Sequence, residues 1–319
     1  MNLIELATEN MTITLMLVIA IFGTILPAVR NCRQQRSLRT AMLRDQAPLM
    51  MTANQVEVAA RCAVYAYTTK AQKLNASQLG KSPNAIWRDE LEQIVKPLGG
   101  ELLTAYNSSG VDFFVADFDK YKVLAIRGTE GLFDAFVDAC ALPTKAPLGG
   151  MVHSGFYRNS KIVVNAAKKF IEDDKPLIVC GHSMGAAMSI ETSAILAEDG
   201  IGNVAGIVAL CSPRSGNAEH AAVVSSTFKN RLLRVTYSRD VVAMVPPAPF
   251  YRHAGQTHYF DCQMEYHPHL TSCFRIVDAL GAMMKDALKC RLLRNVLAYH
   301  SAGAVADMLI LNKERLPLR

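Results

Sequence analysis

The sequence lacks the residue patterns typical of zinc ribbons and of nucleic-acid-binding surfaces. Its eight cysteines include no C-x-x-C pair, which argues against a zinc ribbon or a dithiol redox site. Aromatic residues make up 7% of the 319 residues, with a single tryptophan, and the net charge is only +6. No basic stretch alternates with aromatic residues, so we expect no nucleic-acid partner. The absence of repeats and low-complexity tracts excludes solenoids and disordered chains.

Half of the residues are hydrophobic, which is enough to bury one large core. Cys180 and Cys211 lie in apolar runs, where a cysteine acts as a small core residue, and a reduced, cytosol-facing domain is the simplest interpretation. One group of residues needs separate consideration, because four potential metal ligands lie within twelve positions: Cys262, His267, His269 and Cys273. Their spacing matches no standard zinc site, so we predict loop or core packing, no metal and no organic cofactor.

The N-terminal region contains a hydrophobic run of the length of a membrane span. Residues 11–29, "MTITLMLVIAIFGTILPAV", include no charged side chain in nineteen positions. Acidic residues precede this run and five arginines follow it within residues 30–44. A secretory signal carries its positive charge before the apolar run, so the pattern predicts a retained anchor. The positive-inside rule then predicts a single-pass membrane protein whose remaining domain is cytoplasmic. A cleaved signal with unusual flanks is the alternative.

The rest of the chain indicates an α/β fold. Residues 31–100 have helical spacing of apolar residues, whereas short β-rich runs begin at residue 101 and then alternate with helical stretches. Buried strands that alternate with helices predict a mostly parallel central sheet flanked by helices. We therefore predict three parts: an N-terminal transmembrane helix over 1–30, a helical lead-in over 31–100 and a catalytic domain over 101–319.

A glycine-flanked serine lies at one predicted strand-to-helix junction. The run "LIVC" leads into "GHSMG", and a helix of small residues follows from Met184. Such a turn raises Ser183 above the end of the sheet, and Gly181 and Gly185 allow strand and helix to approach closely. Backbone N–H groups at the start of the helix face any oxyanion that forms beside the serine. His182 is interpreted as a packing residue.

A nucleophilic serine needs a base, and the base needs a carboxylate that orients it. Asp240 follows the strand-like run "LLRVTYS" and is the candidate acid, with a helix cap or a salt bridge as the alternative interpretation. Five histidines follow this aspartate, and the sequence ranks them weakly: His253, His258, His267, His269 and His300. His258 suits a strand position, and His300 comes after a late apolar stretch from which a base could return over the sheet.

With these residues identified, the chain resembles the class 3 (fungal-type) lipases, a branch of the α/β-hydrolase fold. The resemblance spans about residues 111–303. It depends on several motifs that occur in the order typical of that family: "LAIRGTE", "LFDAFVDA", "VHSGFY", "GHSMGAA", "CSPRSGN", "SRDVVAMVPP" and "YRHAGQTHYF". Each motif alone is modest evidence, whereas their common order is specific.

The resemblance implies a role for each site residue: Ser183 as nucleophile, Asp240 as orienting acid, and Thr129 and Met184 as oxyanion-hole donors. It places the base after "YRHAGQTHYF", where His300 fits best, although the tyrosine usual a few positions later is missing. His267 and His269 remain the alternatives for the base.

The activity implied by the resemblance is hydrolysis of carboxylic esters through an acyl-enzyme, with no cofactor. An anchored site beside the arginine cluster favours a lipid ester at a membrane surface, a glycerolipid or a phospholipid, as substrate. Two alternatives stay open. An inactive scaffold of the same fold could serve as a membrane-tethered interaction protein, or the same triad could support an acyltransferase.

Overall fold

The computed structural model describes residues 48–67, 83–128, 142–238, 240, 242–261, 263–267 and 300–319. The predicted span over 11–29 lies outside the described residues, as do the oxyanion candidate Thr129 and the alternative base His269. No helix among the described residues has the length and apolar character needed to cross a bilayer.

Within these ranges the predicted alternation of strands and helices is present. The α-helices are α1 (Ala53–Tyr65), α2 (Pro83–Val95), α3 (Ser154–Ile171), α4 (Met184–Asp199), α5 (Ala218–Thr227) and α6 (Ala302–Leu311). The strands are β1 (Glu101–Ser108), β2 (Val111–Asp117), β3 (Lys122–Ile126), β4 (Pro143–Lys145), β5 (Met151–His153), β6 (Pro176–His182), β7 (Asn203–Leu210), β8 (Leu232–Tyr237), β9 (Thr257–Phe260) and β10 (Tyr266–His267).

Eight of these strands form one sheet in the order β1-β2-β3-β6-β7-β8-β9-β10. Within this sheet β3, β6, β7, β8 and β9 pair in parallel with their neighbours in that order. Strands β1, β2 and β10 pair antiparallel at the two edges. The central strands are buried almost throughout, as expected for a sheet covered on both faces. Because parallel strands end at the same edge, the segments after β3, β6, β7 and β8 all begin there.

Helices cover both faces of the sheet. On one face α1, α2 and α6 contribute Val56, Leu91 and Met308 to a core shared with β3, β6, β7 and β8. On the other face α3, α4 and α5 contribute Val163, Ile190 and Val224 to a second core. Helix α1 lies in the predicted lead-in, and it packs directly on the strands that carry the candidate site.

The two glycines of "GHSMG" lie where α4 passes over the sheet. A Cβ atom on Gly181 would lie 2.3 Å from the backbone oxygen of Gly185. A Cβ atom on Gly185 would lie 2.2 Å from the backbone oxygen of Ile126, in the neighbouring strand β3. Backbone atoms in helices and strands cannot move far enough to make room for a Cβ atom, so both positions require glycine.

We predict that Gly185→Ala lowers the free energy of unfolding by about 1–3 kcal/mol, the usual cost of overpacking. Gly303→Ala in α6 is the matched control, because a Cβ atom there meets nothing within 4 Å. It should be neutral or stabilise by up to about 1 kcal/mol, since alanine favours a helix over glycine. Urea unfolding followed by circular dichroism measures both variants. Equal unfolding midpoints would contradict the close contact between α4 and β3.

Candidate active site

Ser183 occupies the turn between β6 and α4. Its backbone angles are φ 59° and ψ −129°, a conformation that residues with a side chain rarely adopt. The backbone N–H of Ser183 donates to the carbonyl of Leu210 at 2.9 Å, which ties the turn to the end of β7. Strain of this kind is typical of a functional turn held by its surroundings.

Asp240 and His300 form a buried hydrogen-bonded pair. Nδ1 of His300 lies 2.8 Å from Oδ1 of Asp240, although 60 positions separate the two residues. Asp240 is fully buried, His300 is 9% exposed, and the N–H of Val242 donates to the same carboxylate at 3.0 Å. Since a carboxylate only accepts, Nδ1 carries the proton of this hydrogen bond.

The loop that carries Asp240 is fixed by side chains from two of the sequence motifs. Arg214 of "CSPRSGN" is buried and donates to the carbonyls of Met244 and Pro246, the latter at 2.7 Å. Nε2 of His253 of "YRHAG" lies 2.8 Å from the carbonyl of Ala243. These side chains therefore hold the backbone immediately after Asp240.

The His182 ring packs beside the ring of His300. The two ring centroids lie 4.5 Å apart, and His182 is 3% exposed, so its predicted packing role is present. Burial, and secondarily the nearby charge of His300, hold the pKa of His182 well below its ordinary range. His182 therefore stays neutral beside His300.

Sequence reasoning missed Tyr67, whose hydroxyl lies 3.1 Å from Nδ1 of His182. These residues are 115 positions apart. Tyr67 lies two positions after the end of α1 and belongs to none of the motifs quoted above, so no local signal marks it.

Three side chains in this region could in principle ligate a metal: His182, Cys211 and His300, whose ligand atoms lie within 4.8 Å of one another. Burial, followed by the charge of Asp240, raises the pKa of the Cys211 thiol well above its usual range. A protonated thiol is a poor ligand, and His300 already uses Nδ1 on Asp240. We therefore interpret this group as packing around the Asp240–His300 pair.

The alternative histidines fall elsewhere. Nε2 of His267 in β10 lies 2.7 Å from Oδ2 of Asp261, so this histidine has its own carboxylate partner. The other three members of the weighed ligand group, Cys262, His269 and Cys273, lie outside the described residues.

Of the two candidate oxyanion donors, Met184 lies within the described residues. Met184 is the first residue of α4, so its backbone N–H lies at the positive end of the helix dipole. Thr129 is outside the described residues, but the preceding Gly128 packs against the turn before Ser183. A Cβ atom on Gly128 would lie 2.5 Å from the backbone oxygen of His182.

A second buried pair fixes the helix that follows Ser183. Glu191 of α4 and His220 of α5 are 0% and 1% exposed, and Nε2 of His220 lies 2.9 Å from Oε2 of Glu191. Nδ1 of His220 lies 3.1 Å from the carbonyl of Gly149. This pair joins α4, α5 and the segment before β5, and sequence reasoning did not identify it.

The overall fold is that of the α/β-hydrolase lipases. The crystal structure of the lipase from Rhizopus microsporus var. chinensis aligns with a TM-score of 0.52 at 24% identity, covering 73% of this chain and 88% of that one. The predicted α/β-hydrolase fold with a mostly parallel sheet is confirmed.

Residues 123–250 match the family described as Lipase (class 3), so the predicted resemblance to the class 3 lipases is confirmed over that segment. Two relatives are a secreted mono- and diacylglycerol lipase 3 of Gibberella zeae and a secreted mono- and diacylglycerol lipase 1 of Fusarium solani. The first is 32% identical over 34% of this chain and 36% of the relative. The second is 30% identical over 55% of each chain. The chain thus spans about half, or less, of these relatives.

The predicted localisation is wrong. These relatives are named as secreted lipases, which contradicts a single-pass membrane protein with a cytoplasmic domain. The prediction depended on the length of an uncharged run and on the charges flanking it. Neither property measures where a chain is delivered, and the cysteine pattern that suggested a reduced compartment is equally compatible with buried free thiols such as Cys180 and Cys211.

We predict that the Glu191–His220 pair makes stability depend on pH. Burial by itself lowers the pKa of His220, but the contact with Glu191 and the carbonyls of Gly149 and Pro147 raise it more, so the folded pKa lies above 6.5. A raised histidine pKa contributes stability that is complete below the unfolded pKa and lost as pH rises through the folded pKa. His220→Gln should therefore cost most near pH 6, on the order of 3 kcal/mol, and less at pH 9.

Urea unfolding of wild type and His220→Gln between pH 5.5 and 9 measures this difference. His258→Gln is a control of opposite sign, because burial, and then the charge of Arg234, lower the pKa of His258 to about 4. In wild type, the buried His258 therefore lowers the free energy of unfolding as pH falls below 6.5, and His258→Gln removes this loss. A difference between wild type and His220→Gln that stays constant with pH would contradict a charged pair.

Proposed function

We propose that this protein is a serine lipase that hydrolyses carboxylic esters of glycerolipids through Ser183, Asp240 and His300. The observation that carries the proposal is the position of His300. Its Nδ1 is bonded to Asp240 at 2.8 Å, and its ring lies 4.5 Å from the ring of His182, the residue before Ser183. Acid, base and serine turn thus meet at the carboxyl edge of the parallel sheet, where such folds carry their chemistry.

In the proposed first step, Nε2 of His300 takes the proton of the Ser183 hydroxyl while the oxygen attacks the ester carbonyl carbon. Asp240 holds the imidazole in the Nδ1-protonated tautomer and stabilises the imidazolium that forms. Nε2 of His300 is buried and has no hydrogen-bond partner among the described residues. Catalytic hydrogen bonds are often long in a free enzyme and tighten when substrate binds.

The tetrahedral intermediate carries its charge on the former carbonyl oxygen. We assign the backbone N–H groups of Thr129 and Met184 as the donors to this oxyanion, Met184 because it begins α4 directly after the serine. The intermediate collapses as His300 returns the proton to the leaving alcohol. Water, deprotonated by the same imidazole, then hydrolyses the acyl-enzyme and restores Ser183. No step requires a metal or an organic cofactor.

The proposed substrates are mono- and diacylglycerols. Two relatives are named for this activity, and both esters present a carbonyl to the serine together with free hydroxyl groups. Phospholipids are the competing substrate class and differ by a phosphate-containing headgroup. A panel of both classes distinguishes them, as does addition of an alcohol acceptor, which reveals acyl transfer in place of hydrolysis.

We predict that Ser183→Ala, His300→Ala and Asp240→Asn each lower kcat for diacylglycerol hydrolysis by about 10³-fold or more, because the three groups act as one unit. His267→Ala is the matched control, since this histidine is also bonded to an aspartate at 2.7 Å. It should keep kcat within about twofold of wild type. Release of fatty acid from emulsified diacylglycerol, monoacylglycerol and phosphatidylcholine is the measurement.

A fluorophosphonate label on the serine separates the outcomes. Labelling of wild type and not of Ser183→Ala supports the nucleophile even where a given lipid is not cleaved. Full activity in His300→Ala would remove the assigned base. Absence of both labelling and hydrolysis in wild type would indicate a scaffold without catalysis and overturn the proposal.

A further inference from the structure

The Tyr67 hydroxyl connects three segments of the chain at one point. It donates to the carbonyl of His182 at 3.1 Å, and it lies 3.1 Å from Nδ1 of the same histidine. It also accepts the backbone N–H of Gly128 at 3.1 Å. In the Nδ1-protonated tautomer of His182, the oxygen accepts two N–H groups and donates its own proton, so all three contacts are satisfied together.

These contacts fall on the residues next to the proposed chemistry. Gly128 precedes Thr129, the proposed oxyanion donor after β3, and His182 precedes the nucleophile after β6. Tyr67 itself follows α1, and 61 positions separate it from Gly128. A single hydroxyl thus bonds the backbones on both sides of the proposed oxyanion hole and the imidazole packed beside His300.

The Tyr67 hydroxyl is closely packed against the backbone of Gly128. A Cβ atom on Gly128 would lie 2.3 Å from the Tyr67 oxygen, so glycine is needed for the hydroxyl to reach this position. The guanidinium of Arg127 lies 5.7 Å from the centre of the Tyr67 ring, a cation–π distance that helps to fix the ring. Burial also raises the pKa of the Tyr67 phenol, and the phenol therefore remains a proton donor through the range in which an esterase works.

We propose that Tyr67 is a positioning residue that sets the distance between Gly128, the residue before the assigned oxyanion donor, and the serine turn at His182–Ser183. This inference rests on the proposed function, because it assigns Tyr67 to the same site. Tyr67 does not contact the reacting atoms in this role. Its loss lets the two segments separate, so the transition state, whose oxyanion needs both donors at once, is affected more than the bound substrate.

A purely structural role for the hydroxyl makes a different prediction, and the chain offers a matched pair with which to test it. Tyr266 in β10 also bonds a histidine through its hydroxyl, which lies 2.8 Å from Nδ1 of His258. Tyr67→Phe and Tyr266→Phe each remove one hydroxyl from a tyrosine–histidine pair. Only the first pair adjoins Ser183 along the chain.

The test measures kcat, KM and thermal unfolding for wild type and both variants of the full chain. Tyr67→Phe should lower kcat by about 10- to 100-fold with KM within about twofold, the pattern of an interaction realised in the transition state. Tyr266→Phe should keep kcat within about twofold, while both variants lose a similar few degrees of Tm. The rate of serine labelling by a fluorophosphonate should fall with kcat in Tyr67→Phe alone.

The outcomes distinguish this inference from the function on which it depends. Wild-type activity with an unchanged kcat in a folded Tyr67→Phe overturns the positioning role and leaves the lipase proposal intact. The same holds if Tyr67→Phe loses its cooperative unfolding transition, since the hydroxyl is then structural. If wild type is labelled but cleaves no lipid tested, the substrate assignment fails, and the labelling rates still decide the role of Tyr67. No labelling of wild type overturns both.

Discussion

The close approach of helix α4 to strands β3 and β6 is the constraint on which the site depends. Gly181 and Gly185 bring backbone atoms of these elements within distances that any side chain would prevent. That contact fixes where α4 begins and forces Ser183 into its positive-φ turn. It also brings the end of β3, which leads to the proposed oxyanion donor, against the residue before the serine. The position of the proposed nucleophile is thus determined by backbone packing, independently of the side chains of Asp240 and His300.

Helix α4, which follows the proposed nucleophile, is buried on every side over most of its length. All residues from Met184 to Leu196 are buried, including polar ones. The helix satisfies several of these internally: the hydroxyls of Ser189 and Ser193 donate to carbonyls of their own helix at 2.7 Å. The carboxylate of Glu191 is paired instead with His220 of the neighbouring helix α5. A buried charge without a partner is costly, so this pair also fixes how α5 lies against α4.

Much of the fold could be predicted from the sequence, because hydrophobic runs and turn residues act locally. Strands β1, β2, β3, β6, β7 and β8, the helix after Ser183 and the junction at Gly181–Gly185 each have a signal within a dozen residues. Asp240 and Ser183 were accessible for the same reason, since each follows a recognisable strand. His300 was ranked by its place along the chain, and its pairing with Asp240 was expected only from the family resemblance, because no local signal shows how the chain before α6 returns to the sheet. Tyr67 and the Glu191–His220 pair were missed for that reason: both join elements that are distant in sequence.

The prediction that failed concerned cellular location, and its failure has a physical basis. Folding and packing follow from the free energy of the chain itself, whereas an uncharged run of nineteen residues permits membrane insertion without requiring it. Helix α1 of the predicted lead-in packs on the sheet and, through Tyr67 just beyond its end, reaches the serine turn. The N-terminal part of the described chain therefore contributes to the candidate site through contacts with the central sheet.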